Sequence, residues 1–151
     1  EEAIAQFVKK TYNLMIGERM SETIKMTIGT AVEDEPRTIE VRGRDAVSGL
    51  PRMITLTSRE VVTAIMPVIN QIIGCVKSAL QDTPPELAAD IIDKGIIMAG
   101  GTSTLRNLDK LMTQVTGVVC HVAEDPLLCV VRGTGVALEN IELYKRSVSK
   151  K

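Results

Sequence analysis

The order of apolar and polar residues predicts two helices and then two strands in the first part of the chain. Over residues 2–16, apolar side chains recur every three or four positions, which is typical of one face of an amphipathic helix, and a glycine ends the pattern. Residues 21–28 predict a second, short helix that Gly29 closes. Residues 38–44 and 52–57 alternate apolar and polar side chains, so we expect an antiparallel pair joined by a moderately long loop.

A longer apolar segment, residues 61–80, predicts a core helix. Ser58 is its expected N-cap, and Pro67 is expected to kink the helix or divide it. The segment would also suit a membrane span, but a span would not place its polar residues along one regular stripe. We therefore expect a helix of a soluble protein that is packed on most sides. The stripe consists of Glu60, Thr63, Pro67, Asn70, Gly74, Lys77 and Gln81.

The last part of the chain follows an α/β pattern. Residues 86–93 predict a helix that begins after two prolines. Residues 95–99 and 118–122 are continuous apolar runs, which are typical of buried parallel strands, and helices are expected over residues 102–115 and 127–140. Two parallel strands do not make a sheet that helices can cover on both faces. We therefore expect a part of a larger α/β protein, or a chain that needs a partner.

Composition excludes several classes of function. The chain has 151 residues, of which 44% are apolar, enough for one packed domain. Three aromatic residues and a net charge of −1 argue against a nucleic-acid surface. Cys75, Cys120 and Cys129 lack metal-ligand spacing, and His121 stands alone, so we expect no metal site and reduced, buried thiols in a cytosolic protein. No nucleophile has an identifiable base, so no catalytic residue is assigned.

Two segments could contact a ligand. Gly100 and Gly101 stand between an apolar strand and a predicted helix, where glycine lets a ligand approach the backbone and helix amides point towards it. A tight turn that needs a positive φ explains the same two glycines equally well. Glu22 and Lys25 share a helix face and could bond to a ribose or a purine edge, although a surface ion pair is the simpler explanation.

Four longer segments resemble the MreB family of bacterial actin homologues. They read YNLMIGER, EVRGRDAVSGLPR, TPPELAADIIDKGIIMAGGTSTLRNLDKL and HVAEDPLLCVVRGTGVALEN, and the resemblance runs from about residue 2 to residue 140. It covers only the C-terminal part of that family, namely the outer subdomain and the second half of the inner one. The fold it implies is therefore part of an actin-like (ribonuclease H-like) α/β ATPase fold.

The resemblance also implies a division of the chain. Residues 1–29 would form the helices that flank a nucleoside pocket, and residues 30–82 a small outer subdomain of antiparallel strands that runs into the linker helix. Residues 83–140 would form the inner α/β subdomain, in which Gly100 and Gly101 form the turn that contacts adenosine. Residues 141–151 would be a basic, frayed tail.

The function that the resemblance implies is that of an ATP-binding cytoskeletal filament protein, which determines cell shape and guides cell-wall synthesis. Gly100, Gly101 and Thr102 would line the nucleoside, with Leu105 on the side of the base, whereas Glu22 and Lys25 would flank adenine and ribose. The family's phosphate loops and catalytic carboxylate belong to sequence upstream of this segment. The chain alone is therefore expected to hydrolyse no ATP and to bind it with a Kd of about 1 mM or weaker.

The resemblance further implies ATP or ADP with Mg²⁺ as the cofactor of the complete protein. Its implied partners are further copies of itself and the cell-wall elongation or division machinery. The complete protein would be cytoplasmic and would reach the membrane only through the part that lies outside this segment.

Two other functions remain open from the residues. One is another ATPase of the same fold, of the sugar kinase or heat-shock chaperone type, although residues 42–52 (RGRDAVSGLPR) are not expected of either. The other is an interaction module that never binds nucleotide. If the complete protein formed no filaments with ATP, the first alternative would be favoured. If changing Gly101 to a bulky residue left nucleotide affinity unchanged, the second would be supported.

Overall fold

The computed structural model describes residues 1–148, with side chains described as far as Lys145. One antiparallel sheet has the strand order β1-β2-β3, and β4 and β5 form a parallel pair, so both predicted strand pairs are confirmed. The elements, in chain order, are α1 (Glu2–Tyr12), β1 (Leu14–Met15), α2 (Glu18–Ile28), β2 (Thr38–Asp45), β3 (Pro51–Thr57), α3 (Ser58–Gln81), α4 (Pro85–Lys94), β4 (Ile96–Met98), a 3₁₀ turn (Gly101–Thr104), α5 (Leu108–Thr116), β5 (Cys120–Val122), α6 (Cys129–Glu139) and α7 (Ile141–Val148).

The first helix is shorter than its apolar pattern predicts. It ends at Tyr12, because Asn13 adopts a left-handed conformation with φ 52°. The next two residues, Leu14–Met15, form a short strand that pairs with the end of β2, and Leu14 is fully buried there. The predicted helix over residues 2–16 is therefore wrong at its end, because residues 14 and 15 pair with the end of β2, about thirty residues further along the chain. Helix α2 also begins three residues earlier than predicted, at Glu18.

The hairpin of β2 and β3 has the register that the alternation predicts. Thr38 pairs with Thr57, and the ladder continues to the pair of Arg44 and Pro51. The inward side chains Val41 and Leu56 are fully buried. Alternation places the core residues on one face, while the other face remains exposed to solvent.

The hairpin loop is held by Asp45. Its Oδ1 accepts hydrogen bonds from the backbone N–H groups of Val47 and Ser48, at 3.0 and 2.9 Å, and its Oδ2 lies 2.8 Å from Nη1 of Arg52. The Ser48 N–H and the Arg52 guanidinium hold the pKa of Asp45 well below its usual range. The loop therefore keeps a defined shape, and the exposed Arg52 forms an ion pair with Asp45 at its edge.

Helix α3 is continuous through Pro67, so of the two outcomes expected at this proline the division of the helix is wrong, and the kink stays a prediction. Its N-cap is Thr57 rather than Ser58, because the Thr57 hydroxyl accepts a hydrogen bond from the Glu60 N–H at 3.3 Å. Glu60 Oε2 in turn accepts one from the Thr57 N–H at 2.9 Å, which completes a capping box.

The two halves of α3 differ in burial. By length and composition the helix could cross a membrane, but Val61 and Ile69 in its first half belong to the core, which favours a core helix. The second half packs on one side only, since Ile73 contacts the core while Ile72 and Cys75 are exposed. The predictions of packing on most sides and of three buried thiols are therefore wrong, although Cys120 is buried.

Two hydrophobic clusters form the core, and α3 contributes to both. The first cluster contains the buried residues Ile4, Val8, Leu14, Ile24, Ile28, Val41, Leu56 and Val61. The second contains Ala31, Ile69, Leu108, Met112 and Cys120. Ile65 of α3 packs against both clusters, so the hairpin part and the α/β part of the chain share one helix.

The α/β part differs from its prediction in burial and in the breaks between elements. Ile96 and Met98 of β4 pack against the second cluster, but Ile97 is 72% exposed, so the strand is buried on one face rather than two. The single helix predicted over residues 102–115 is wrong. A 3₁₀ turn comes first, and α5 begins only after Asn107, whose φ of 60° interrupts the helix.

The last two helices begin and end differently from the predicted pattern. Helix α6 starts at Cys129 instead of residue 127, because the preceding turn bonds the Leu128 N–H to the Asp125 carbonyl at 2.8 Å. Residues Ile141–Val148 form α7, so the expected frayed tail is wrong over that range, and residues 149–151 lie outside the described residues. Large apolar side chains remain exposed on these two helices, as is typical of an interface.

A hydrogen bond joins α1 to α3. The Tyr12 hydroxyl donates to Oε1 of Glu60, the carboxylate of the capping box. This bond raises the pKa of Tyr12 above its ordinary value of 10.0. Partial burial would raise the pKa of Glu60, but the hydrogen bonds from Tyr12 and Thr57 outweigh it and lower that pKa below the ordinary 4.5.

We predict that Tyr12→Phe lowers the free energy of unfolding by about 1 kcal/mol at neutral pH, because a bond to a carboxylate is lost. Because the pKa of Glu60 is lowered in the folded chain, the contribution of its carboxylate to the free energy of unfolding is fully present above pH 4.5. That contribution is lost as the pH falls through the pKa of the folded state. Because the pKa of Tyr12 is raised in the folded chain, the contribution of its hydroxyl to the free energy of unfolding is fully present below pH 10.0. That contribution is lost as the pH rises through the pKa of the folded state. Urea unfolding across this range measures the difference.

Tyr144→Phe is the control for this prediction, because the Tyr144 hydroxyl makes no hydrogen bond within the described residues. It should leave unfolding unchanged at every pH. Equal effects of the two substitutions, or a Tyr12→Phe effect that does not vary with pH, would contradict the role of this bond.

Candidate functional site

A cavity of about 430 Å³ lies between α2, α3 and the 3₁₀ turn that follows β4. Apolar side chains of α3 form one wall, and the start of α1, the end of α2 and the turn form the others. This volume is within the range of small-molecule sites. The lining residues are Glu1, Ala3, Ile4, Lys25, Met26, Gly29, Ile65, Val68, Ile69, Ile72, Gly101, Thr102, Thr104, Leu105 and Arg106.

Four of the six predicted nucleotide-binding residues line this cavity, although they come from two distant parts of the chain. Lys25 belongs to the last turn of α2, and Gly101, Thr102 and Leu105 follow β4. The other two predicted residues are Glu22 and Gly100, which do not line the cavity. Glu22 is exposed one turn before Lys25, and Gly100 precedes the turn directly. The ligand-binding role of all six stays a prediction.

The two glycines serve different purposes in the turn. Gly100 has φ 86° and ψ 168°, a conformation that only glycine adopts without strain, and its N–H donates to the Pro126 carbonyl at 2.8 Å. Gly101 has no such restriction, and a Cβ there would meet only the tip of Leu127, at 3.3 Å. The Ser103 hydroxyl donates to the Gly100 carbonyl at 2.6 Å, which closes the turn.

Lys25 is paired across the mouth of the cavity rather than along its own helix. Its ammonium forms an ion pair with the carboxylate of Glu1, and no ion pair with Glu22 occurs in the described part of the chain. Hydrogen bonding from Lys25 lowers the pKa of Glu1. The cavity therefore has a cation and a carboxylate at one rim and aliphatic side chains inside.

Arg106 and the α3 wall line the cavity although no motif in the sequence marks them as site residues. Arg106 lines the cavity and donates from Nη2 to Oδ1 of Asp34 at 3.2 Å, while its buried Nε and Nη1 have no acceptor among the described residues. The periodic apolar run of α3 was a signal for a wall, but nothing in the local pattern indicated that Ile65 and Ile69 would face a cavity. Residues 1–148 contain no group of three or more acidic, histidine or cysteine side chains arranged for a metal.

The arrangement is suited to binding rather than to covalent chemistry. An apolar slot can hold a flat ring, and backbone and charged groups at its rim can bond to hydroxyl groups. A parallel strand pair with a glycine turn and helices, next to a three-stranded antiparallel sheet, fits part of an actin-like α/β fold. Solved structures support this class of protein.

The chain aligns over 99% of its length with MreB5 of Spiroplasma citri bound to ADP, with a TM-score of 0.88 and 33% identity, and covers 45% of that chain. A second structure of the same protein is bound to AMPPNP. The MamK double helical filament aligns over 83% of this chain and 39% of its own, with a TM-score of 0.68 and 18% identity, a likeness of fold alone.

The sequence comparisons give the family. The family model of the MreB/Mbl protein matches residues 1–146. The cell shape-determining protein MreB of Escherichia coli strain K12 is 47% identical over 145 residues, which are 95% of this chain and 42% of that protein. The chain belongs to the MreB/Mbl family and spans 42% of the length of this relative. The resemblance and the actin-like fold are thereby confirmed, and a sugar kinase or a heat-shock chaperone is disfavoured.

We predict that Gly100→Ala lowers the free energy of unfolding by about 1–3 kcal/mol, because its φ and ψ are accessible essentially to glycine alone. A Cβ at Gly100 would enter open space, so this loss would come from the backbone conformation and not from a clash. Gly101→Ala is the matched control and should change stability by less than about 0.5 kcal/mol. Urea unfolding of both variants is the measurement, and equal losses would contradict the different roles of the two glycines.

Proposed function

We propose that this chain forms the nucleoside side of an ATP-binding cleft in an actin-like filament protein. The observation that carries the proposal is the cavity that brings Lys25 together with Gly101, Thr102 and Leu105. The ADP and AMPPNP bound by the similar MreB5 structures support it.

The cavity offers suitable groups for each part of a nucleoside. The adenine ring would lie in the slot between Leu105 and the aliphatic wall of α3. The ribose hydroxyls would bond to Lys25 and to Glu22 one turn earlier, and the backbone of Gly101 and Thr102 would approach the sugar closely. Gly100 would act indirectly, because it sets the conformation that brings the next residues to the cavity wall.

The phosphates and Mg²⁺ of the nucleotide would be held mainly by residues outside this chain. The cavity rim has Lys25 and Arg106 as its cations, and both are already paired with carboxylates. Phosphoryl transfer depends on charge stabilisation and on a positioned water or base, which these residues do not supply. The chain alone is therefore proposed to bind ATP weakly and to hydrolyse none.

In the cell, the complete protein would act as a cytoplasmic filament that determines cell shape and guides cell-wall synthesis. The name of the Escherichia coli relative, a cell shape-determining protein, supports this role. We propose contacts with the cell-wall elongation or division machinery, and contact with the membrane through residues outside this chain.

Two oppositely charged surfaces fit self-association. The outer face of the hairpin exposes two cations, Arg42 and Arg44, and one carboxylate, Glu40, so its net charge is positive, whereas α4 exposes Glu86, Asp90 and Asp93. A basic surface on one copy and an acidic surface on the next suit a head-to-tail contact, which repeats into a filament. The filament formed by MamK, which has a similar fold, supports this proposal.

Calorimetric titration with ATP tests nucleotide binding by the 151-residue chain. We expect a Kd of about 1 mM or weaker and no phosphate release. Gly101→Val should weaken binding at least about tenfold further, because a branched side chain crowded against Leu127, which a Cβ already meets at 3.3 Å, shifts the turn that lines the cavity. Gly74→Val is the control, since a Cβ at Gly74 meets nothing within 4 Å. Micromolar affinity would contradict the proposal that the phosphates are held mainly by residues outside this chain. Unchanged affinity in Gly101→Val would favour a nucleotide-independent module.

Sedimentation of the complete protein with ATP tests self-association. Wild-type protein should pellet, and Arg42→Glu with Arg44→Glu should leave it in the supernatant because the basic surface is reversed. Adding Asp90→Lys and Asp93→Lys to that variant should restore pelleting. Failure of the wild type to pellet would favour another ATPase of the same fold, and failure of the combined reversal to restore it would contradict this pairing of surfaces.

A further inference from the structure

Two segments that are more than seventy residues apart are joined beside the cavity. Thr30 and Arg106 form an isolated parallel bridge, and the Ala31 N–H donates to the Arg106 carbonyl at 2.8 Å. The Asn107 amide donates to Oγ1 of Thr30 at 3.0 Å and to Oδ2 of Asp34 at 2.9 Å. Arg106 donates to the other oxygen of Asp34 at 3.2 Å. We call the side chains of Thr30, Asp34, Arg106 and Asn107 the clasp.

The clasp lies directly behind two walls of the cavity. Gly29, which lines the cavity, immediately precedes Thr30, and Leu105, which also lines it, immediately precedes Arg106. Leu105 has an extended backbone and belongs to no helix or strand. Its position against the end of α2 therefore depends on the bonds that hold the following two residues.

The burial and charge of the clasp make it more than a surface contact. Thr30 is fully buried, and the side chains of Arg106 and Asp34 are only 28% and 31% exposed. Asp34 uses both carboxylate oxygens, one for each of the two residues that follow Leu105. It is also the carboxylate that forms an ion pair with Arg106 in the described structure. Charge-assisted bonds of this kind are stronger than neutral ones.

We propose that Asp34 and Asn107 are positioning residues for the nucleoside cavity. By holding the residues after Leu105, they set the separation between the Leu105 wall and the Lys25 wall. Neither side chain lines the cavity, so both act through Leu105 and not by contact with a ligand. This proposal rests on the nucleoside-binding function proposed above.

Asn107→Gly is the most direct test variant. Asn107 has φ 60°, which glycine adopts freely, so the substitution removes the two amide bonds without adding backbone strain. Asn13→Gly is the matched control, because Asn13 has a similar φ of 52° and lies at the end of α1, away from the clasp. Tyr12→Phe serves as a second control, which lowers stability without touching the clasp.

Two measurements on the 151-residue chain test whether the clasp holds Leu105 in place and whether it affects the binding of ATP. Hydrogen exchange should be about tenfold faster at the Leu105 amide in Asn107→Gly and unchanged there in both controls. Calorimetric titration with ATP should show about tenfold weaker binding in Asn107→Gly, as expected for one or two lost hydrogen bonds, and no change in the controls.

A double variant tests whether the two residues act as one unit. If they do, Asp34→Asn combined with Asn107→Gly should bind ATP within about twofold of the weaker single variant. Losses that multiply, unchanged exchange at Leu105 in Asn107→Gly, or equal effects in Tyr12→Phe would overturn the proposal. A wild-type chain that binds no ATP would overturn the proposed function, and exchange at Leu105 would then decide the clasp by itself.

Discussion

The burial of one stripe of α3 is the interaction on which the rest of this structure depends. Val61 belongs to the first hydrophobic cluster, Ile69 belongs to the second, and Ile65 packs against both. Without this helix, the hairpin part and the α/β part would share little apolar contact. Because α3 also forms the aliphatic wall of the cavity, the packing that stabilises the fold simultaneously determines the shape of the candidate site.

Patterns whose partners lie nearby in sequence were predicted well. The β2–β3 pairing follows from alternation and from a loop with glycine and proline, and α4 follows from its prolines and its apolar face. The parallel pairing of β4 with β5 follows from two apolar runs with a helix between them. In each case the residues that determine the structure lie within the segment that shows the pattern, so the local preference and the final fold agree.

The errors occur where distant residues decide the outcome. Leu14–Met15 became a strand because the end of β2 pairs with it. The helix predicted from residue 102 is broken because Thr30 and Asp34 hold the residues after Leu105. Arg106 was missed for the same reason, since its partner lies 72 positions away. Lys25 and the glycine turn line one cavity, but neither local pattern indicates that they meet, and only the family resemblance placed them together.

We propose that the cavity between α2, α3 and the glycine turn binds the nucleoside half of ATP. Amide chemical shifts of the isotope-labelled chain, recorded with up to about 10 mM adenosine, test it most directly, since weak ligands are detectable at that concentration. We expect the largest shifts at Lys25, Gly101, Thr102 and Leu105. Shifts confined to the hairpin or to α4, or no shifts at all, would contradict it.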